Sequence, residues 1–159
     1  MRKKLYIMVG APGCGKTTYV RTHATPGHSA HISRDAIRFA KLEEGESYFG
    51  REKEVYKTFI QQIVMAFDDC PWVDEVWADA THLTENSRKK LLSNLITVDI
   101  DVVPVVIMPE LDICLGQNML RTGRERVPDT IVEKMYNTYE DPANDKIEYD
   151  DIIYTKGEI

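Results

Sequence analysis

Cysteine is scarce in this sequence and scattered. Cys14, Cys70 and Cys114 are the whole complement, and no Cys-x-x-Cys pair is formed. An odd count without that spacing argues for free thiols in a reducing compartment and against a structural zinc site. The four histidines are dispersed too. His28 and His31 lie close together, but no thiol or carboxylate pattern completes a metal site around them, so all four are read as surface or internally satisfied side chains. Long apolar runs are missing. None approaches the ~20 residues that cross a bilayer. The short run in "MRKKLYIMVG" ends in a glycine loop, not a cleavage site. The expectation is a cytoplasmic protein without a membrane partner. Positive charge is in deficit, with 20 Lys and Arg against 26 Asp and Glu and a net charge of −6. That balance speaks against a grip on long duplex nucleic acid. It still allows a local basic pocket that takes one strand end. Repeats, low-complexity tracts and Pro- or Ser-rich linkers are absent, and 159 residues suit one domain over 1–159.

Glycine is sparse as well, yet three of the nine glycines fall in "GAPGCGKTT", Gly10 to Thr18. The stretch fits G-x-x-x-x-G-K-[ST], with Gly10, Gly15, Lys16 and Thr17 in the fixed places. An apolar strand pattern precedes it and a helical pattern follows, as a phosphate loop requires. Glycines, Gly13 among them, let successive N–H groups curl around one anion, and the helix N-terminus adds its positive end. Lys16 is expected to reach the β- and γ-phosphates, and the Thr17 hydroxyl a Mg²⁺ ion, with Thr18 beside it. Cys14 is expected to contribute its backbone N–H. Its thiol reads as any small residue would, or as a thiol of lowered pKa at a helix N-terminus. ATP or another nucleoside triphosphate is the expected ligand.

Apolar runs alternate with helical patterns along the whole chain. Leu5–Val9, Ser29–Ile32, Glu75–Asp79, Val102–Met108 and Ile152–Thr155 read as strands, with Pro104 near the start of its strand or at an edge. Helices are predicted over Thr17–His23, from a Ser33 cap to about Glu43, over Arg51–Asp69, from a Thr84 cap through Leu95, over Glu110–Arg121, and over Asp129–Tyr139 with Asp129 as cap. The pattern predicts an α/β fold of the P-loop NTPase type: a parallel sheet of four to five strands with helices on both faces. In such sheets ligands bind beyond the carboxyl ends of the strands.

Three stretches in those positions carry chemistry. In "HISRDAIR", Asp35 falls in a first helical turn and Arg38 three residues on, on the same face. Asp35 can take the proton of an acceptor hydroxyl, and Arg38 can hold an acceptor phosphate by a bidentate contact. In "VWADATHLT", Asp79 ends a strand, where it either reaches Mg²⁺ through water or orients Arg38. In "MLRTGRERVPDTIVEKM", Arg121, Arg124 and Arg126 surround Gly123 between two helices. This has the form of an Arg-rich lid, over about residues 117–140, that would close cations onto a transferring phosphoryl group.

Taken together, "GAPGCGKTT", "SRDAIR", "DATHLT" and "RTGRERVPDTIVEKMY" resemble, in order and spacing, the P-loop kinase domain of bacteriophage polynucleotide kinase. The resemblance spans nearly the whole chain. It implies ATP- and Mg²⁺-dependent phosphorylation of a 5′-hydroxyl end of DNA or RNA, in nucleic-acid end repair, with single-stranded 5′-ends or 3′-phosphorylated nucleotides as partners. It also implies Lys16 and Thr17 on the donor and its metal, Asp35 as general base, Arg38 on the acceptor's 3′-phosphate, Asp79 and Thr81 in the acceptor site, Arg121 or Arg124 on the transferring phosphate, and Arg126 on ATP. Gln117 stands where the family tends to carry an Arg, and His82 where it carries Asn. Tyr48 or Phe49 reads as ordinary loop packing or as a platform for an acceptor base. A P-loop kinase for a small hydroxyl substrate, such as a nucleoside or sugar, is the alternative that the acidic charge keeps open. A nucleoside monophosphate kinase would leave Asp35 without a proton to take, and a non-catalytic nucleotide-binding module would leave Asp35 and the lid arginines without a task. DNA or RNA preference, acceptor length and oligomeric state are not encoded in these motifs.

Overall fold

A computed structural model describes residues 2–95 and 99–156. Five parallel strands form one sheet: β1 (Lys3–Val9), β2 (Ser29–Ser33), β3 (Glu75–Asp79), β4 (Ile100–Ile107) and β5 (Ile153–Thr155), in the order β2-β3-β1-β4-β5. The helices are α1 (Lys16–His23), α2 (Arg34–Lys41), α3 (Glu52–Asp69), α4 (Glu85–Ser93), α5 (Leu111–Met119) and α6 (Asp129–Asn137), with single 3₁₀ turns at Gly123–Glu125 and Pro142–Asn144. This is the expected α/β P-loop NTPase-like fold, with element bounds shifted by one or two residues where helix ends fray.

The sheet explains its own sequence. β1 is covered on both faces, so it reads as an unbroken apolar run. Leu5, Ile7 and Val9 join Val55, Phe59, Ile63 and Phe67 of α3 and Leu91 of α4 in one core. Met8 turns the other way, with Trp77, Val105 and Ile107, into a second core that takes Tyr19 and Val20 of α1, Cys114 of α5 and Val132 of α6. Tyr6 stacks on Trp77 on that face, with ring centres 4.0 Å apart.

Pro104 sits five residues into β4, opposite Ile7 of β1. The Val102 carbonyl faces Asp150, on the β5 side, and backbone groups two residues apart face the same way. The missing N–H of Pro104 therefore falls on the β5 side, where pairing begins only at Val105 with Ile153. Locally this is an edge, as a proline needs. The Ser33 and Thr84 caps form, the first accepting from the Ala36 N–H and the second from the Ser87 N–H. Asp129 does not cap α6. Pro128 occupies the cap position without a side-chain bond, and Asp129 is the first helical residue, where its charge meets the helix dipole.

One buried ion pair was not visible in the pattern. Arg88 of α4 is fully buried and grips Asp145 through Nε at 2.6 Å and Nη2 at 2.8 Å. Its other donations go to the carbonyls of His82 and Glu140, each at 2.8 Å. Arg88 thus ties the segment after β3 to the chain beyond α6. Among the described residues no helix is long and apolar enough to cross a membrane.

Candidate functional site

The phosphate loop turns from β1 into α1. Gly15 occupies the cap of α1 in a left-handed conformation, and Gly13 also has positive φ, at 82°. A Cβ at Gly13 would lie 2.5 Å from the Cys114 carbonyl oxygen, so α5 packs too closely for any side chain there. The Gly10 N–H donates to the Thr81 carbonyl at 2.9 Å, which fastens the loop to the segment after β3. Lys16 is only 9% exposed and folds back over its own loop, with Nζ donating to the Ala11 carbonyl at 2.9 Å. The Cys14 N–H closes the turn onto the Ala11 carbonyl at 3.2 Å. The Cys14 thiol is buried beneath the loop, and burial pushes its pKa up although Lys16 pulls the other way. Desolvation outweighs the cation, so Cys14 is not the low-pKa thiol that a helix N-terminus alone would make it.

Asp79 closes the other side of the loop. Its Oδ2 accepts from the Thr17 hydroxyl and from His31 Nε2, each at 2.8 Å. Burial alone would push this 5%-exposed carboxyl up. The His31 hydrogen bond, the Lys16 charge and the Thr17 hydroxyl outweigh it and hold Asp79 below its ordinary value. His31 is thus an internally satisfied histidine whose partner is the Asp79 carboxylate of the cavity wall. It comes from the opposite strand position, β2 beside β3, a neighbour relation that spacing along the chain does not reveal.

Across from the phosphate loop, α2 and the loop before α3 build one polar cluster. Asp35 Oδ1 accepts from Arg38 Nη1 and from the Tyr48 hydroxyl, while the side chain stays 43% exposed. Arg38 is 4% exposed, and its Nε and Nη2 both donate to Glu52 Oε1. Its fork also lies over the Tyr48 ring, 4.2 Å from the centre. Burial and the neighbouring Asp35 raise the Tyr48 phenol well above its usual range, which keeps it a donor. Tyr48 is thus packed, while Phe49 remains half exposed beside it. Arg34 and Glu52 also line the cavity without having been singled out by the motifs, and Tyr48 joins them as a packed residue. Glu52 joins both arginines, taking Arg34 Nη2 on Oε2 at 2.7 Å.

A single cavity of about 380 Å³ runs between these two halves. Gly13, Gly15, Lys16, Thr17 and Thr18 line its loop side, Asp35, Arg38, Asp79 and Thr81 its other side, and Gln117, Arg121 and Val127 its cover. Gly10, Cys14 and Arg126 are not among the lining residues: the first two lie behind the loop and Arg126 is exposed. Arg124 lies in the 3₁₀ turn, and its side chain falls outside the described ones. The cover is fastened by Asn118, fully buried, whose amide accepts from the Val127 N–H at 3.1 Å and donates to the Val127 carbonyl at 2.5 Å. A hydroxyl beside an ionised carboxylate is a hard oxygen pair that suits Mg²⁺, which takes one or two protein oxygens and leaves the rest to phosphates and water. Thr17 and Asp79 fit that ion.

Residues 5–142 match the family described as AAA domain. No curated protein sequence matches the chain. Among solved structures, a fungal RNA kinase superposes with a TM-score of 0.69 at 15% identity, covering 99% of this chain and 76% of that one. A chain of the Pnkp1/Rnl/Hen1 RNA repair complex superposes at 0.70 with 22% identity, over 86% of this chain and 44% of its own length, so this chain spans less than half of that protein. A gluconokinase from Sinorhizobium meliloti 1021 superposes at 0.59 with 16% identity, covering 95% and 81%. At these identities the likeness is one of fold.

Proposed function

The chain belongs to the AAA domain family, and on that premise we propose that it transfers the γ-phosphoryl group of ATP to the 5′-hydroxyl end of a DNA or RNA strand. The observation that carries this reading is the one cavity in which the phosphate loop faces an accessible carboxylate and a buried guanidinium. Lys16 leaves the Ala11 carbonyl and takes the β- and γ-phosphates. Asp35 receives the acceptor's proton. Both of its present hydrogen bonds fall on Oδ1, which leaves Oδ2 toward the hydroxyl. Arg38 holds a phosphate of the acceptor, and Arg121 closes onto the transferring group. Thr17 and Asp79 would hold a Mg²⁺ ion, which would supply charge neutralisation at the phosphate oxygens. The RNA kinase and RNA repair proteins among the structural neighbours support a nucleic-acid acceptor.

A small hydroxyl acceptor is the second reading, and one observation favours it. The Arg38 guanidinium is already matched by Glu52 and Asp35, so an incoming phosphate must displace a carboxylate. The test is transfer of labelled γ-phosphate to a 5′-hydroxyl oligodeoxynucleotide, an oligoribonucleotide, a 3′-mononucleotide, free nucleosides and gluconate. Label on the oligomers and the 3′-mononucleotide, with none on nucleosides or gluconate, is the expected result. Label confined to nucleosides or gluconate selects the second reading.

A further inference from the structure

Arg34 lines the acceptor side of the cavity and carries its guanidinium carbon 5.2 Å from the centre of the Tyr56 ring. Lys90, on the neighbouring helix α4, brings its Nζ to 4.2 Å from the same ring. Lys53 lies three residues before Tyr56 on α3 and shares its face. Lys53 and Lys90 are exposed, and Tyr56 is half-buried. Deeper in, Arg38 lies over Tyr48 and 5.8 Å from the centre of the half-exposed Phe49 ring. Cations and rings therefore alternate from the floor of the cavity to the outer surface. The Arg34 fork is not used up: Glu52 takes Nη2, while the buried Nε has no partner among the described residues.

This strip runs against the background of a chain of net charge −6. A lysine laid over a ring keeps its stem ordered and its charge outward. Cations that meet phosphates, with rings on which bases stack, are how a single strand is held without regard to sequence. A sugar or nucleoside would end inside the cavity and make no use of Tyr56, Lys53 or Lys90.

We infer that Arg34, Lys53, Tyr56 and Lys90 form the exit path of the acceptor strand, holding its phosphodiester backbone on the 3′ side of the nucleotide that reacts. This rests on the polynucleotide reading of the site. Both cations meet the same Tyr56 ring, at 5.2 and 4.2 Å from its centre, outside the pocket of the reacting nucleotide. Acceptor efficiency should therefore climb from a mononucleotide to a short oligomer and then level.

The test measures kcat/KM for 5′-hydroxyl acceptors of increasing length, a 3′-mononucleotide, a dinucleotide, a tetranucleotide and an octanucleotide, across a salt series. The comparison is between the wild type and the double variant Lys53→Glu/Lys90→Glu. Neither lysine belongs to the reacting machinery. The variant is expected to lose about tenfold on the two longer acceptors and to stay within about twofold on the mononucleotide. The slope of log kcat/KM against log salt should flatten by about one to two. Tyr56→Leu should add a loss of about five- to tenfold confined to the longer acceptors, since it removes the ring that both cations meet. Equal losses at every length, no loss, or a wild type indifferent to length would each overturn the inference. A wild type that phosphorylates no nucleotide would sink the polynucleotide reading instead. The strip is then read by fluorescence anisotropy with a labelled tetranucleotide. Binding that the lysine reversals weaken supports the strip, and absent or unaffected binding overturns it.

Discussion

Lowering the pH should destabilise this protein through one histidine. His82 follows the segment that lines the cavity, is 4% exposed, and sits at positive φ, 38°. Its Nδ1 donates to the Met8 carbonyl at 3.0 Å, and its buried Nε2 has no partner among the described residues. Protonation would bury an unpaired N–H beside like charges. Burial first, with Arg34 and Lys16 adding to it, outweighs the Met8 carbonyl and Asp79 and brings the pKa from 6.5 down to about 4. The sign follows directly: between these two values the unfolded chain binds a proton that the folded chain refuses, so stability falls as pH falls through that window. At ~1.36 kcal/mol per pKa unit, the fall between about pH 7 and about pH 5 comes to roughly 2 kcal/mol. His82→Asn isolates the effect, because Asn tolerates positive φ and does not titrate. Urea unfolding of both proteins at the two pH values gives the comparison. The wild type should lose about 2 kcal/mol more than the variant. Equal losses would mean that His82 is protonated in the fold, or that its ring is solvated, and the burial argument would fail.

Arg88→Ala should cost about 3–5 kcal/mol, because it strands the Asp145 carboxylate, 2% exposed, without its cation. Arg88→Met/Asp145→Leu should recover most of that by calorimetry, and a double variant no better than Arg88→Ala would contradict the account. Asp35→Asn should cut kcat ~10²–10⁴-fold and leave ATP affinity near the wild-type value by titration calorimetry; retained turnover would remove Asp35 as the base. Asn118→Leu leaves the Val127 N–H and carbonyl unpartnered at a cost of about 1–3 kcal/mol. Hydrogen exchange should then accelerate across the chain between α5 and α6, and unchanged protection there would mean that Asn118 does not fasten the cover.

The motifs made the donor half of the site legible because it is local. Gly10 through Thr17 belong to one turn, and strand, loop and helix are bonded in sequence order. Alternation of apolar runs with helical periods likewise sufficed for a parallel sheet. Long-range partners were not legible. Arg88 and Asp145 are 57 residues apart and His31 and Asp79 are 48 apart. Nothing in a spacing rule distinguishes Arg88 from Lys89 on the same helix, yet one is fully buried and the other exposed. Nothing in the sequence marks Asn118 within its helix, because its role depends on the chain doubling back to Val127.

The cluster around Asp35 shows how a local motif depends on distant chain. Asp35 and Arg38 lie three residues apart, as the helical period requires, and they do meet. Their state is set by a different segment. Tyr48 bonds to both, and Glu52 holds the Arg38 fork and Arg34 together. A buried guanidinium cannot stand uncompensated, so a fold that places Arg38 at 4% exposure must bring a carboxylate to it. Glu52 at the start of α3 meets that demand. An anionic acceptor thus meets an arginine that is pre-oriented and already neutralised. Its gain is the difference between two ion pairs, not the full strength of one. For the polynucleotide acceptor proposed above, selectivity over a free phosphate would then come from contacts outside the pair, which is where Arg34, Tyr56, Lys53 and Lys90 lie.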